Sequence, residues 1–212
     1  MKIILFKTAL LSISFNAVSS PYFGLEYGLG STNHHVKNNF ISSPKTSLNA
    51  RNEDGTLNFF VGYSLDSQWA IEFGYNQFNL EDDHSEFVRS DIVSVTKEKW
   101  DTTVKAKQLI LTPIYSHHLN EIWLTKFKLG LTYTQYNLRG AHYFEEEFPS
   151  SKYEIITPIS QYSKNLNEIG GLISAGTEYE VYPQLKVGIN VKHQFDRFAN
   201  TTSFSFSSTY YY

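Results

Sequence analysis

The side chains of this chain that could carry out catalysis are its 7 histidines and the serines near them. A nucleophilic hydrolase needs a base within hydrogen-bond reach of its nucleophile. His34 and His35 are adjacent, with Ser31 and Ser43 nearby. The other histidines are at positions 84, 117, 118, 142 and 193. Histidines without partners at a defined spacing are usually solvated, and the chain has no cysteine. We therefore expect no catalytic residue, no cofactor and no metal site.

Two acidic runs, at residues 81–83 and 145–147, could collect divalent cations or bridge lipopolysaccharide through them. We favour the simpler interpretation, in which both are solvated loop charge. The net charge is -3 and the pI is about 6.2. This balance gives no indication of a nucleic-acid partner.

Eight segments alternate between apolar and polar side chains with the period of a β-strand. Their approximate bounds are 22–31, 56–65, 69–78, 105–118, 122–136, 167–180, 185–196 and 204–212. Short turns are expected at 66–68, 120–121 and 182–184, and long connections at 32–55, 79–104 and 137–166. Pro113 cannot donate to a strand ladder, so we expect a bulge or a locally open pair there.

The last segment is aromatic on one face and polar on the other. Phe204, Phe206, Tyr210 and Tyr212 share one parity, and Ser205, Ser207 and Thr209 share the other. In a soluble protein this would be a sticky edge strand. It fits the closing strand of a membrane barrel, where the apolar face meets lipid. The pattern resembles the C-terminal assembly signal of Gram-negative outer-membrane barrels, except that Ser208 stands where an apolar residue is usual.

The fold class predicted is all-β: an eight-stranded antiparallel up-and-down transmembrane β-barrel with short periplasmic turns and long extracellular loops. Two aromatic girdles emerge when the strands are laid up and down. One contains Tyr63, Trp69, Tyr115, Trp123, Tyr179 and Tyr210, and the other Tyr75, Tyr133, Phe195 and Phe204. The alternative is a soluble barrel with the same alternation inverted.

The residues predicted to face the barrel interior include seven charged side chains. They are Glu26, Glu72, Lys126, Lys128, Glu178, Lys186 and Lys192. Charges in a low dielectric must be paired, and eight strands leave room only for side chains. We therefore predict a plug of ion pairs, with inward glycines making space for the long side chains. The alternative is a conduction path gated by Lys126 and Glu72.

The N-terminus resembles a secretory signal peptide, with Lys2, a mostly apolar run from 3 to 15, and small residues at Ala17 and Ser19. Cleavage after Ser19 would leave residues 20–212 as a single outer-membrane β-barrel domain. The alternative is a first core strand or short helix. After this segment no apolar run approaches the length of a transmembrane helix.

Five stretches carry a resemblance to a known family: SPYFGLEYGLGSTNHHVK, WAIEFGYNQFNL, AKQLILTPIYSHHL, FKLGLTYTQYNLRG and ANTTSFSFSSTYYY. They resemble the accessory colonisation factor A family, among small barrels of the outer-membrane protein A type. The resemblance covers essentially the whole mature chain. It implies a surface-exposed protein linked to host colonisation, with no catalytic residues to carry over.

Function is therefore expected in the long connections. They carry the aromatic residues Phe40, Phe87, Trp100, Tyr143, Phe144, Phe148, Tyr153 and Tyr162. Exposed aromatics on a rigid scaffold are typical of recognition surfaces, although these could instead extend the strands and pack on each other. Our leading hypothesis is adhesion, and the alternative is a small gated channel or transporter for minor or apolar solutes. Expected partners are outer-membrane lipid and lipopolysaccharide, the barrel assembly machinery and a host surface ligand, for a monomer that binds no nucleic acid.

Overall fold

The computed structural model describes residues 20–34, 38–39, 47–48, 55–151 and 153–212. The strands are β1 Pro21–His34, β2 Asn38–Asn39, β3 Ser47–Leu48, β4 Thr56–Ser64, β5 Trp69–Ser90, β6 Val95–His118, β7 Trp123–Phe148, β8 Tyr153–Tyr182, β9 Leu185–Phe195 and β10 Ala199–Tyr211. Eight of them form a closed barrel in the order β1-β10-β9-β8-β7-β6-β5-β4, and β2 pairs only with β3. No helix among the described residues is long and apolar enough to span a membrane.

The prediction of eight antiparallel strands is confirmed, and side chains alternate between a buried and an exposed set along each. The exposed set is the apolar one. Phe23, Leu25, Phe59 and Phe73 point outward, whereas Glu26 points inward. This is the reverse of a soluble barrel, so the inverted alternative is wrong.

The expected long loops over 79–104 and 137–166 are wrong. These residues continue β5 to Ser90, start β6 at Val95, continue β7 to Phe148 and start β8 at Tyr153. Only short turns separate the paired strands at their far ends. β7 has 26 residues and β8 has 30, whereas crossing a bilayer takes about 10. The four middle strands therefore project well beyond the other four.

The short turns at the opposite end of the barrel are confirmed, and two are closed by side chains. Asp66 Oδ1 accepts from the backbone nitrogens of Gln68 and Trp69, each at 2.7 Å. Asn120 Oδ1 accepts from the backbone nitrogens of Ile122 at 3.0 Å and Trp123 at 2.8 Å. Asp and Asn favour tight turns because their side chains bond the backbone two residues on.

Pro113 lies opposite Ile71 of β5 in a continuous ladder. On its other side, the pairing with β7 is interrupted at 112–113 and resumes at Ile114 in the same register. The locally open pair is therefore confirmed, and no bulge forms there. The cause is the missing N–H of proline.

Several expectations concern residues outside those described. These are the signal peptide at 1–19 with Ala17 and Ser19, the residues His35, Phe40 and Ser43, and most of the connection 32–55. For His34 the structure gives strand geometry only. The expectations for these residues remain predictions.

Candidate functional site

Three buried ion pairs cross the barrel interior. Lys126 Nζ lies 2.7 Å from Glu178 Oε2, Lys128 Nζ 2.8 Å from Glu72 Oε1, and Lys192 Nζ 2.7 Å from Glu26 Oε1. Each of the six side chains is at most 10% exposed. Six of the seven charged residues predicted to face inward thus form three pairs.

The seventh, Lys186, pairs with Glu180 at 3.3 Å, close to the short-turn end. Glu180 was missed in the sequence analysis, although it has the same parity as Glu178 and could have been assigned inward. Both partners of this pair are more exposed than those of the three central pairs.

Aromatic rings surround the ion pair nearest to the short-turn end. Tyr211 Oη accepts from Lys126 Nζ at 2.9 Å and donates to Glu178 Oε2 at 3.3 Å. Lys126 Nζ also lies 5.4 Å from the ring centre of Tyr22. A Cβ on Gly62 would lie 2.1 Å from the Tyr22 ring, so this ring needs a glycine beside it.

A second layer, at the far end of the barrel, is apolar. It consists of Phe78, Leu80, Val104, Ala106, Tyr136, Leu138, Phe198 and Ala199. The Tyr136 and Phe198 ring centres are 4.3 Å apart, and Tyr136 Oη donates to Asp196 Oδ2 at 2.7 Å. The interior thus changes from paired charge to packed apolar side chains along the barrel. Both layers fill space, and neither resembles a catalytic constellation.

A small cavity of about 160 Å³ opens at the short-turn end. It is lined by Tyr22, Lys126, Lys186 and Tyr211 among others. Lys126, one of the lining residues, is paired with Glu178, and both side chains are only 4% exposed.

Beyond the closed eight-stranded barrel, β5 to β8 continue as a four-stranded sheet. β4 stops pairing with β5 at Gln77, and β9 stops pairing with β8 at Gly171. Residues 153–161 of β8, which we call the β8 edge, are therefore paired with β7 but with no other described strand. Tyr153, Ile155, Ile156 and Ile159 on this edge are exposed.

The projecting part of β6 and β7 is joined by a ladder of polar contacts. Lys97 Nζ lies 2.7 Å from Glu147 Oε1, and Lys99 Nζ 2.5 Å from Glu145 Oε1. Ser94 Oγ donates to Glu146 Oε1 at 2.7 Å. The interpretation of residues 145–147 as solvated loop charge is therefore wrong, because all three lie on β7 and have partners, two on β6 and one at Ser94 just before it.

These contacts shift the pKa values of charged side chains in the ladder. The hydrogen bond from Lys97 lowers the pKa of Glu147, and the hydrogen bond to Glu145 raises the pKa of Lys99. Burial and the hydrogen bond to Asp101 raise the pKa of Tyr143 to about 12. Tyr143 Oη donates to Asp101 Oδ2 at 2.8 Å.

The aromatics expected on exposed loops divide into two groups. Phe87 and Tyr153 are exposed, but Trp100 is fully buried. The Trp100 ring stacks on His142 with centres 4.9 Å apart, and His142 Nε2 lies 2.6 Å from Glu98 Oε1. His142 is thus a packed residue of the projecting sheet, a role that its isolated position in the sequence did not indicate.

The sequence of residues 5–211 matches the outer membrane protein beta-barrel domain family. The chain belongs to this family. The structure is similar to Ail, the attachment invasion locus protein of Yersinia pestis, in complex with the heparin analogue sucrose octasulfate (TM-score 0.51, 10% identity, covering 92% of this chain and 99% of that one). It is also similar to Neisserial surface protein A (0.53, 10%, 91% and 97%) and to the outer membrane protein OprG of Pseudomonas aeruginosa (0.51, 12%, 92% and 97%). No curated protein sequence matched.

The outer membrane beta-barrel family places the protein in the bacterial outer membrane, with its short turns toward the periplasm. The outward rings then form the predicted periplasmic girdle: the centres of Trp69 and Tyr115 are 5.2 Å apart, and those of Trp123 and Tyr179 are 5.0 Å apart. His117 and His118 end β6 on this side.

The terminal strand has the expected two faces. Phe204, Phe206 and Tyr212 are exposed, and Ser208 faces outward with them. Tyr210 packs against Phe23 of β1, with ring centres 5.5 Å apart, where the last strand closes the barrel. Recognition of these residues by an assembly machinery stays a prediction.

Proposed function

We propose that this protein is a surface adhesin that binds an extended segment of a host surface protein along the β8 edge. The observation that carries the proposal is the projecting sheet itself, which places this edge far outside the bilayer. An edge strand presents a row of N–H and C=O groups that can pair with another chain. Adding a strand to such an edge is a recurring mode of peptide recognition.

The side chains of the β8 edge support this mode of binding. Ile156 is 58% exposed and Ile155 is 41% exposed. Exposed apolar residues grouped on a projecting element are typical of interaction sites. Pro158 has no backbone N–H, so Tyr153 to Thr157 is the run of this edge before the proline in which every residue has one.

The rigid base of the sheet also supports recognition. The sheet is continuous with the barrel wall, and its inner strands are joined by the ladder of Lys97–Glu147 and Lys99–Glu145 pairs. A preorganised surface loses less entropy on binding than a flexible loop. The attachment invasion locus protein, which shares the fold, is named for attachment, and the resemblance to accessory colonisation factor A implies colonisation.

The alternative, a small gated channel, has one structural feature in its favour: the interrupted pairing beside Pro113. At that point the wall is filled, however. A Cβ on Gly130 would lie 2.7 Å from Thr112 Oγ1, and Thr112 is buried. Together with the paired charges of the interior, this packing favours a scaffold over a conduit.

The proposal is tested by adherence of Escherichia coli cells that display the full chain to cultured epithelial monolayers. We expect Ile156→Lys to lower adherence about tenfold, as for the loss of one apolar anchor of a binding site. Val88→Lys is the matched control, since Val88 is 46% exposed near the outer end of β5, the other outer strand of the sheet. Equal loss in both variants, or wild-type adherence no higher than that of cells without the protein, would overturn the proposal.

A further inference from the structure

Two outward-facing rows of β5 to β8 carry only amides and lysines. The register aligns Gln77, Lys107, Gln135 and Asn167 in one row, and Asn79, Lys105, Asn137 and Asn165 in the next. We call these eight residues the amide–lysine belt. All are exposed except Asn137, which is half-buried. Six amides and two ammonium groups thus cover four strands without a carboxylate.

The belt lies where the apolar band of the barrel ends. The row directly below it is Tyr75, Leu109, Tyr133 and Ile169, aligned by the same register. Two residues along a strand span about 7 Å. The belt therefore lies at the level of the polar headgroups of the outer leaflet.

Two of the belt's amides are held by side-chain hydrogen bonds. Arg139 Nε, in the next row outward, donates to Asn137 Oδ1 at 2.9 Å, and Asn137 Nδ2 donates to Asn165 Oδ1 at 2.5 Å. Neither Lys105 nor Lys107 forms a salt bridge with a residue in the described ranges. Both ammonium groups are therefore available to an anion from outside.

An apolar groove of about 710 Å³ lies beneath the belt on the lipid-facing wall. Its lining is mostly apolar, with Leu111, Pro113, Leu129, Leu131, Ile169 and Phe195 among the residues, and it also includes Asp196 and Arg197. The Phe195 ring lies in the space that a Cβ on Gly171 would occupy, and the pairing of β6 with β7 is interrupted beside Pro113, which also lines the groove. Its volume is within the range of small-molecule sites, about 300–1,000 Å³.

We propose that the belt and the groove together form a binding site for a phosphorylated, acylated glycolipid of the outer leaflet. Lys105 and Lys107 bind its phosphate, the amides bind sugar hydroxyls, and the groove takes an acyl chain. Amides are both donors and acceptors, which suits hydroxyls. A phospholipid would match the lysines and the groove but would leave most of the amides unused. The choice of a glycolipid over a phospholipid follows from this complementarity.

The test uses the refolded full chain in detergent micelles and purified rough lipopolysaccharide as the probe. Each lysine near a membrane anion contributes about 1 kcal/mol, so Lys105→Ala/Lys107→Ala should weaken binding about thirtyfold. The control is Lys97→Ala/Lys99→Ala, which removes the same charge from the same strand farther from the membrane. Heat-modifiable migration on gels checks that each variant is folded.

Two further arms separate a binding site from a general membrane anchor. Dephosphorylated lipopolysaccharide should bind the wild type about thirtyfold more weakly than intact lipopolysaccharide, the same factor as for the double lysine variant. Phosphatidylglycerol should bind the wild type at least tenfold more weakly than lipopolysaccharide. Leu111→Trp, which fills the groove from outside, should weaken binding, whereas Ile189→Trp on the lipid-facing side of β9 should not. Equal losses in the two lysine variants, or equal binding of the two lipids, would show that the belt is only an interfacial anchor and would overturn the proposal.

Discussion

Glu178 shows what a charged residue requires inside a barrel of eight strands. Its carboxylate is bound by Lys126, by Thr209 Oγ1 at 3.0 Å and by Tyr211 Oη. Strand parity was sufficient to predict that Glu178 and Lys126 face inward. It could not predict Tyr211 as a partner, because this depends on how the last strand is staggered against β7 across the barrel. Thr209 also has inward parity, but its hydrogen bond to Glu178 could be found only in the structure.

The Lys126–Glu178 pair should matter for stability far more than the pair at the rim. Lys126→Ala leaves Glu178 buried without its ammonium partner, which typically costs about 3–5 kcal/mol. Lys186→Ala removes a pair that is more exposed, and such pairs contribute about 1 kcal/mol or less. The free energy of unfolding, from reversible urea titration in micelles, measures both.

A double-mutant cycle shows whether the cost of Lys126→Ala comes from the unpaired carboxylate. Adding Glu178→Gln to Lys126→Ala should recover much of the lost stability, because the remaining side chain is neutral. Additive losses would mean that the two side chains act independently and that the pair is not the cause.

At the scale of elements, the barrel part of each strand was predictable, and the projecting part was not. Residues 69–78 alternate between apolar and polar side chains because one face meets lipid. From Gln77 to Glu81 the alternation is inverted: the outward positions become Gln, Asn and Glu, whereas the inward Phe78 and Leu80 belong to the buried apolar cluster. The apolar-outward signal therefore ends where the bilayer ends, although the strand continues to Ser90. Pro113 was the opposite case, since the chemistry of proline alone indicated an open pair.

The contribution of the polar ladder of β6 and β7 to stability should depend on pH at both low and high pH. Glu147 has a pKa below its ordinary 4.5, so its contribution is present above that value and is lost as the pH falls through the lowered pKa. Lys99 has a pKa above its ordinary 10.5, so its contribution is present below that value and is lost as the pH rises through the raised pKa. Between about pH 5 and pH 10 both contributions are retained.

Carboxyl-carbon chemical shifts of the protein in micelles would measure the titration of Glu147 at low pH. We expect the Glu147 carboxyl to titrate below 4.5 in the wild type and to move upward in Lys97→Ala. An unchanged Glu147 titration in Lys97→Ala would contradict the assignment of the shift to Lys97.

At the scale of the whole molecule, the barrel and the projecting sheet have different roles. The three ion pairs and the apolar cluster around Tyr136 and Phe198 fill the ring, and the family match places the ring in the outer membrane. The sheet of β5 to β8 reaches outward and presents the β8 edge. We therefore propose that the barrel is a closed scaffold and that binding takes place on the projecting sheet.

The most direct test of this account is single-channel conductance of the refolded chain in a planar bilayer, with Lys126→Ala and Lys186→Ala beside it. Because the interior is filled by paired and packed side chains, we expect no steady conductance from the wild type or from Lys186→Ala. Steady, discrete current steps in the wild type, altered in Lys126→Ala, would contradict it and would make the interior charges a gate.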